Sequence, residues 1–90
     1  MNKKLSKTIK EANEKLKKNK IFQNYQITVD GNFTNEYNEV RLSSTDGHKH
    51  FPIINAETEG EAIAAINAYM TGLSHGKINS YPKICDKGNY

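Results

Sequence analysis

The chain has 90 residues, a length that forms one domain with a small apolar core. It contains 13 Lys and Arg residues against 10 Asp and Glu residues, for a formal net charge of +3. The single cysteine, Cys85, excludes a disulfide within the chain, and no segment reaches the roughly 20 apolar residues that span a bilayer. The lysine-rich start has no apolar run of a signal peptide behind it, so we expect a cytosolic protein without a large catalytic cleft.

The charges are divided between two parts of the chain. Residues 1–20 hold eight lysines and two glutamates, a net charge of +6. Residues 30–61 hold seven carboxylates against Arg41 and Lys49, a net charge of −5. Because the basic excess belongs to one segment, a nucleic acid would meet a negative surface elsewhere on the molecule. The separation of charge is therefore more informative than the net charge.

The first predicted element is an amphipathic helix over about residues 3–19. Its apolar residues recur at steps of four, three and four, and so share one stripe of a helix. They are Leu5, Ile9, Ala12 and Leu16. Lysines occupy the other faces, which is typical of a helix that packs on a sheet and exposes its polar side to solvent.

Two strands are predicted next. Apolar and polar residues alternate over residues 25–29, which is the pattern of a half-buried strand, and residues 30–32 have turn chemistry. Val40 and Leu42 face one side of a second strand over about residues 37–43.

A hairpin and a third strand follow. Residues 43–47 are turn-forming, and Gly47 can adopt the positive φ that a tight hairpin requires. The third strand is predicted over about residues 48–54. Pro52 lacks an amide proton, so this strand should lie at an edge of the sheet or end there.

The last predicted element is a second amphipathic helix that begins at Thr58. Thr58 and Glu61 fit a capping box, and Gly72 or Gly76 can provide the left-handed residue after the helix. The apolar stripe consists of Ala62, Ile66, Tyr69 and Leu73, widened by Ile63 and Met70.

These elements predict an α+β fold with two layers. The order is α-β-β-β-α, with a three-stranded antiparallel meander and two helices packed on one of its faces. Residues 1–76 would form the single domain and residues 77–90 a C-terminal tail. The open face of the sheet should carry Tyr37, Glu39 and Arg41, with either His48 and His50 or Lys49 and Phe51.

No residues form a convincing catalytic or metal site. His48 and His50 share a strand face, but no further ligands complete a metal site, so exposed hairpin histidines are the better interpretation. Cys85 is followed by Asp86, whose charge raises a thiol pKa and makes the thiol less reactive. Glu57, Glu59 and Glu61 suit a helix N-terminus better than a catalytic pair. We expect no enzyme activity, cofactor or metal.

The lysine-rich helix is the candidate nucleic-acid-binding element. Lysines release counterions when they contact phosphates, but no arginine or aromatic residue lies among them to contact bases. Binding would therefore be non-specific, and a solvated helix face is the alternative interpretation. The residues that would contact phosphates are Lys7, Lys10, Lys17 and Lys18.

The segment "GHKHFPIINAETEGEAIAAINAYMTGL" resembles the third strand and last helix of the double-stranded-RNA-binding domain. That family has a lysine cluster at the start of its last helix, whereas this chain has Glu57, Glu59 and Glu61. The resemblance thus implies the fold without the RNA-binding function.

Residues 5–76 also resemble small accessory proteins of bacteriophages and mobile elements, including anti-CRISPR inhibitors. The resemblance lies in the lysine- and asparagine-rich composition, the α-β-β-β-α order and the "AETEGEAIAAINAYMTGL" helix. It implies that acidic residues around the strand loops occupy a nuclease surface that otherwise binds DNA. The matching residues are Asp30, Glu36, Glu39 and Asp46, together with Glu57, Glu59 and Glu61.

The leading hypothesis is a non-catalytic protein-binding module of phage or mobile-element origin. It would act in the host cytosol and inhibit a host enzyme, such as a CRISPR effector nuclease. The candidate partner-binding residues are Asp30, Glu36, Tyr37, Glu39, Arg41 and Asp46. A nucleic-acid-binding accessory protein and a small structural or assembly protein are the alternatives. No membrane partner is expected.

Overall fold

In the computed structural model, which describes residues 3–34 and 37–76, two helices flank three antiparallel strands. In chain order, the elements are α1 (Lys3–Lys17), β1 (Tyr25–Asp30), β2 (Asn38–Ser44), β3 (His50–Ala56) and α2 (Glu59–Ser74). The predicted α-β-β-β-α order is confirmed. The proposed tail, residues 77–90, lies outside the described residues. No helix in the described ranges is both long enough and apolar enough to cross a membrane.

The hydrophobic core lies between one face of the sheet and the two helices. Ile27, Val40 and Leu42 of the sheet pack together with buried residues of both helices, so α1 and α2 cover the same face. The buried hydrophobic residues are Leu5, Ala12, Leu16, Phe22, Tyr25, Ile27, Val40, Leu42, Ala56, Ala62 and Ile66. The outer residues of the predicted stripes, such as Ile9 and Tyr69, are only partly buried.

Phe22 is a core residue that the periodic patterns do not predict. α1 ends at Lys17, two residues before its predicted end, and Asn19 organises the turn that follows. The Asn19 Oδ1 atom accepts hydrogen bonds from the amides of Ile21 (2.8 Å) and Phe22 (3.1 Å). This turn allows the Phe22 side chain to reach the core, where it is completely buried.

The three strands form a sheet in the order β1-β2-β3, with Ile27 opposite Leu42 and Leu42 opposite Phe51. The turn between β2 and β3 is longer than predicted. The carboxylate of Asp46 accepts hydrogen bonds from the Ser44 hydroxyl (2.6 Å) and from the His48 amide (3.0 Å). Because these contacts complete a turn, β3 begins at His50, two residues later than predicted.

Each edge strand of the sheet has one outward position that is unsuited to pairing with a further strand. The side chain of Asn13 in α1 accepts a hydrogen bond from the Ile27 amide (2.6 Å) and donates one to the Ile27 carbonyl (3.3 Å). The Ile27 amide and carbonyl therefore point away from β2, so those of Leu42, its opposite residue, point towards β3 and pair with Phe51. Because backbone groups alternate in direction along a strand, the nitrogen of the next residue, Pro52, points away from β2. Pro52 has no proton to donate at that edge, in agreement with its predicted edge position.

The ends of α2 agree with the predicted capping residues. The Thr58 hydroxyl accepts a hydrogen bond from the Glu61 amide (3.1 Å), and the Glu61 carboxylate accepts one from the Glu57 amide (2.6 Å). The reciprocal contact of this capping box thus reaches one residue before Thr58. At the other end, Gly76 has a φ of 73° and supplies the left-handed residue, whereas Gly72 lies within the helix.

Candidate functional site

Most of the predicted acidic residues meet at one end of the sheet, which we call the acidic end. β1 finishes there at Asp30, which lies opposite Glu39 in β2, and β3 finishes there at Ala56, which lies opposite Asn38. Since α2 starts directly after β3, its N-terminal carboxylates belong to the same end. The carboxylates of the acidic end are Asp30, Glu39, Glu57, Glu59 and Glu61.

Two large hydrophobic side chains are exposed at the acidic end. Tyr37, which directly precedes β2, is 70% exposed, and Ile54 of β3 is 43% exposed. A register shift between Val40 and Arg41 inserts one extra residue in β3, because Pro52 lies opposite Arg41 and Ile54 lies opposite Val40. Tyr37 and Ile54 therefore expose an aromatic and an aliphatic side chain near the end of the sheet at which Asp30 and Glu39 lie.

Arg41 joins two of these carboxylates on the open face of the sheet. Its Nη2 atom lies 2.8 Å from the Asp30 carboxylate, and its Nε atom lies 2.5 Å from the Glu39 carboxylate. The hydrogen bond to Glu39, together with the charges of Glu39 and Asp30, raises the pKa of Arg41 against the opposing effect of burial. The three side chains form one network with a net charge of −1, so Arg41 is held in place and reduces the local negative charge.

The structure does not bring every predicted partner-binding residue to this end. Asp46 belongs to the β2–β3 turn, at the opposite end of the ladder between β2 and β3. Its carboxylate is bonded within that turn, where hydrogen bonds from the Ser44 hydroxyl and the His48 amide lower the pKa of Asp46. Glu36 lies outside the described residues.

The open face carries a chain of hydrogen bonds across all three strands. The Ser43 hydroxyl lies 2.7 Å from the Thr28 hydroxyl and 2.9 Å from Nδ1 of His50. The prediction for this face was either His48 and His50 or Lys49 and Phe51, and the structure places His50 there. Phe51 lies on the other face, where it packs against Tyr25 in the core with 5.9 Å between the ring centroids. Among the described residues, no three His, Cys, Asp or Glu side chains are grouped as metal ligands.

Asn38 is a buried polar residue that organises the loop between β1 and β2. Its Oδ1 atom accepts a hydrogen bond from the Phe33 amide (2.9 Å), and its Nδ2 atom donates one to the Ala56 carbonyl (3.0 Å). Phe33 has a φ of 64°, and a Cβ atom on Gly31 would lie only 2.4 Å from Asn38 Oδ1. Sequence reasoning missed Asn38, although its alternation with Val40 and Leu42 places it on the core side of β2.

The candidate nucleic-acid-binding lysines are divided between two surfaces. Lys10 and Lys17 line a groove of about 430 Å³ between α1 and the start of β1. Lys18 lines a different groove of about 270 Å³, between the C-terminal ends of α1 and α2, and Lys7 lines neither of them. Both ion pairs within residues 3–34 and 37–76 involve Arg41, so the α1 lysines form none with the described carboxylates.

Comparison of the chain with protein-family models, with curated proteins and with solved structures found no match. Function is therefore inferred from the geometry and charges of the chain itself.

Proposed function

We propose that the chain is a non-catalytic protein-binding module whose acidic end binds a basic surface of a partner protein. On this proposal, the module comes from a phage or mobile element and inhibits a host enzyme. The resemblance to anti-CRISPR inhibitors makes a CRISPR effector nuclease the first partner to test. Its DNA-binding surface is basic, as an acidic binder requires.

The exposure of Tyr37 and Ile54 near the end of the sheet that holds Asp30 and Glu39 is the observation that carries the proposal. Protein interfaces commonly have a central aromatic or aliphatic anchor inside a polar rim, and tyrosine is enriched among the residues that dominate binding energy. The Asp30 carboxylate is well exposed and is suited to the rim, where charges mainly accelerate association.

One position on each edge strand of the sheet limits how a partner can bind. Asn13 occupies the outward backbone groups of Ile27 in β1, and Pro52 removes a donor from the edge of β3. Addition of a partner strand is therefore disfavoured at both positions. The proposed interface therefore uses side chains, with Tyr37 and Ile54 as its hydrophobic anchors.

Binding of purified CRISPR effector nucleases to immobilised protein tests the proposal. Tyr37→Ala and Ile54→Ala are expected to weaken binding about tenfold or more, as for interface anchors. Ile21→Ala is the matched control, because Ile21 is also 43% exposed but lies in the segment between α1 and β1. Asp30→Lys should slow association, whereas Glu39 is a less suitable site for charge reversal because it also holds Arg41.

Two outcomes would contradict the proposal. Equal losses of binding affinity for Ile21→Ala and Tyr37→Ala would show that the acidic end has no special role in binding. Absence of binding to every effector and every other basic nucleic-acid-binding enzyme tested, with circular dichroism confirming folded protein, would exclude this class of partner.

A further inference from the structure

The groove between α1 and β1 is separate from the acidic end and has its own chemistry. One wall belongs to α1 and includes Lys10 and Lys17, and the other includes Gln23, Gln26 and Thr45. The far wall is uncharged, so the charges of the groove belong to α1, where Lys10 and Lys17 outnumber Glu14. Its volume of about 430 Å³ is enough for a few residues of a bound chain.

The spacing of the charges indicates the length of the ligand. Lys10 and Lys17 are seven residues apart in α1, a separation of about 10 Å along the helix axis. Neighbouring residues of an extended chain are about 3.3 Å apart, so roughly three residues cover this distance. Glu14 also lines the groove and lies between the lysines along α1, which favours a ligand whose negative charges are separated and disfavours a continuous row of phosphates.

The other lining residues suit a peptide. Ile9 contributes apolar surface, and the amides of Gln23 and Gln26 have donors and acceptors for a peptide backbone. Tyr25 is only 7% exposed and therefore presents no ring face for a nucleic-acid base to stack on. Asn13 already holds the Ile27 backbone, so the ligand would be bound by side chains and not as an added strand.

We propose that this groove binds an extended acidic segment of a partner protein, with carboxylates placed near Lys10 and Lys17. The site is independent of the acidic end, and the two surfaces have opposite charge. A partner with a basic surface and an adjacent acidic segment would contact both of them, which increases affinity through effective concentration.

Titration of the isotope-labelled protein with a short synthetic peptide, in which glutamates are separated by serine and leucine residues, tests the site. We expect amide shifts at the start of β1 and along the facing side of α1. The Lys10→Gln/Lys17→Gln variant should bind about tenfold more weakly, since two ion pairs in one groove are lost. The Lys7→Gln/Lys18→Gln variant has the same net charge and should retain affinity, because neither lysine lines this groove.

The same peptide with glutamines in place of glutamates should not bind. Equal weakening in the two lysine variants would overturn the proposal, because it would show attraction to overall charge. Tighter binding of a single-stranded or duplex DNA oligonucleotide, with shifts in the same groove, would also overturn it and would assign the groove to nucleic acid. If the peptide does not bind the groove, the effector-binding test of Tyr37→Ala and Ile54→Ala is unaffected, because those residues lie at the acidic end.

Discussion

Asn13 of α1 pairs with Ile27 of β1 through both backbone polar groups of Ile27, so a side-chain amide takes the place of a neighbouring strand. The contact connects the helix layer directly to the edge of the sheet. It satisfies a donor and an acceptor that would otherwise need water or another chain.

Asn13→Ala is expected to destabilise the protein by about 1–3 kcal/mol, because the Ile27 amide and carbonyl lose their partner. The exposed edge should also promote self-association. Urea unfolding measures the first effect, and size-exclusion chromatography with light scattering measures the second. Asn24→Ala, at an exposed residue outside the helices and strands, is the control and should change stability by less than about 0.5 kcal/mol. A monomeric Asn13→Ala protein of unchanged stability would contradict the role of this contact.

Two glycine substitutions should have opposite effects. Gly31→Ala places a Cβ atom against Asn38 at a φ of 143°, so we expect a loss of several kcal/mol and a disordered β1–β2 loop. Gly60→Ala lies in the first turn of α2 with its nearest other atom at 3.8 Å, and should stabilise the protein by about 0.5–1 kcal/mol. Thermal unfolding of both variants provides the comparison, and a stable Gly31→Ala protein would show that the Asn38 contact is easily relaxed.

Tyr69→Phe should increase stability, because the buried Tyr69 hydroxyl has no hydrogen-bond partner among residues 3–34 and 37–76. Burial raises the pKa of Tyr69 to about 12. An unfolded tyrosine ionises near pH 10, so the unfolded state releases a proton first, and the folded state loses relative stability from about pH 10 to 12. Tyr69→Phe removes this loss. Urea unfolding at about pH 8 and pH 11 should show a larger benefit at the higher pH, and an equal benefit at both would contradict the role of burial.

Any binding of nucleic acid by α1 should be weak and strongly dependent on salt. Replacing Lys7, Lys10, Lys17 and Lys18 together by glutamine would flatten that dependence, because fewer counterions are released. Fluorescence anisotropy with labelled DNA and RNA at low and physiological salt measures the slope. Tight, sequence-specific binding at physiological salt would instead favour the nucleic-acid-binding alternative over the protein-binding proposal.

Local patterns predicted the elements, because each has a clear period and terminal signals. The stripe from Leu5 to Leu16, the alternation over residues 25–29 and the Thr58 cap all have their expected roles. The burial of Phe22 was not predicted, since it depends on a turn formed by Asn19 and not on any periodic pattern.

The candidate sites were less predictable, because they depend on tertiary contacts. The acidic residues were identifiable in the sequence, but the pairing of Arg41 with Asp30 and Glu39 follows from the strand register. The same register places Tyr37 and Ile54 at one end of the sheet. Lys10 and Lys18 line different grooves because α1 packs on both β1 and α2. The helical period alone does not specify this packing.

The chain of Thr28, Ser43 and His50 can reverse its direction without breaking. When Nδ1 of His50 is unprotonated, it accepts from Ser43, which in turn accepts from Thr28. When the neutral ring instead carries its hydrogen on Nδ1, Nδ1 donates to Ser43, and Ser43 donates to Thr28. The hydroxyl groups of Ser43 and Thr28 only have to rotate to follow the tautomer of His50. The open face of the sheet therefore keeps its three strands connected through this chain in either tautomer of His50.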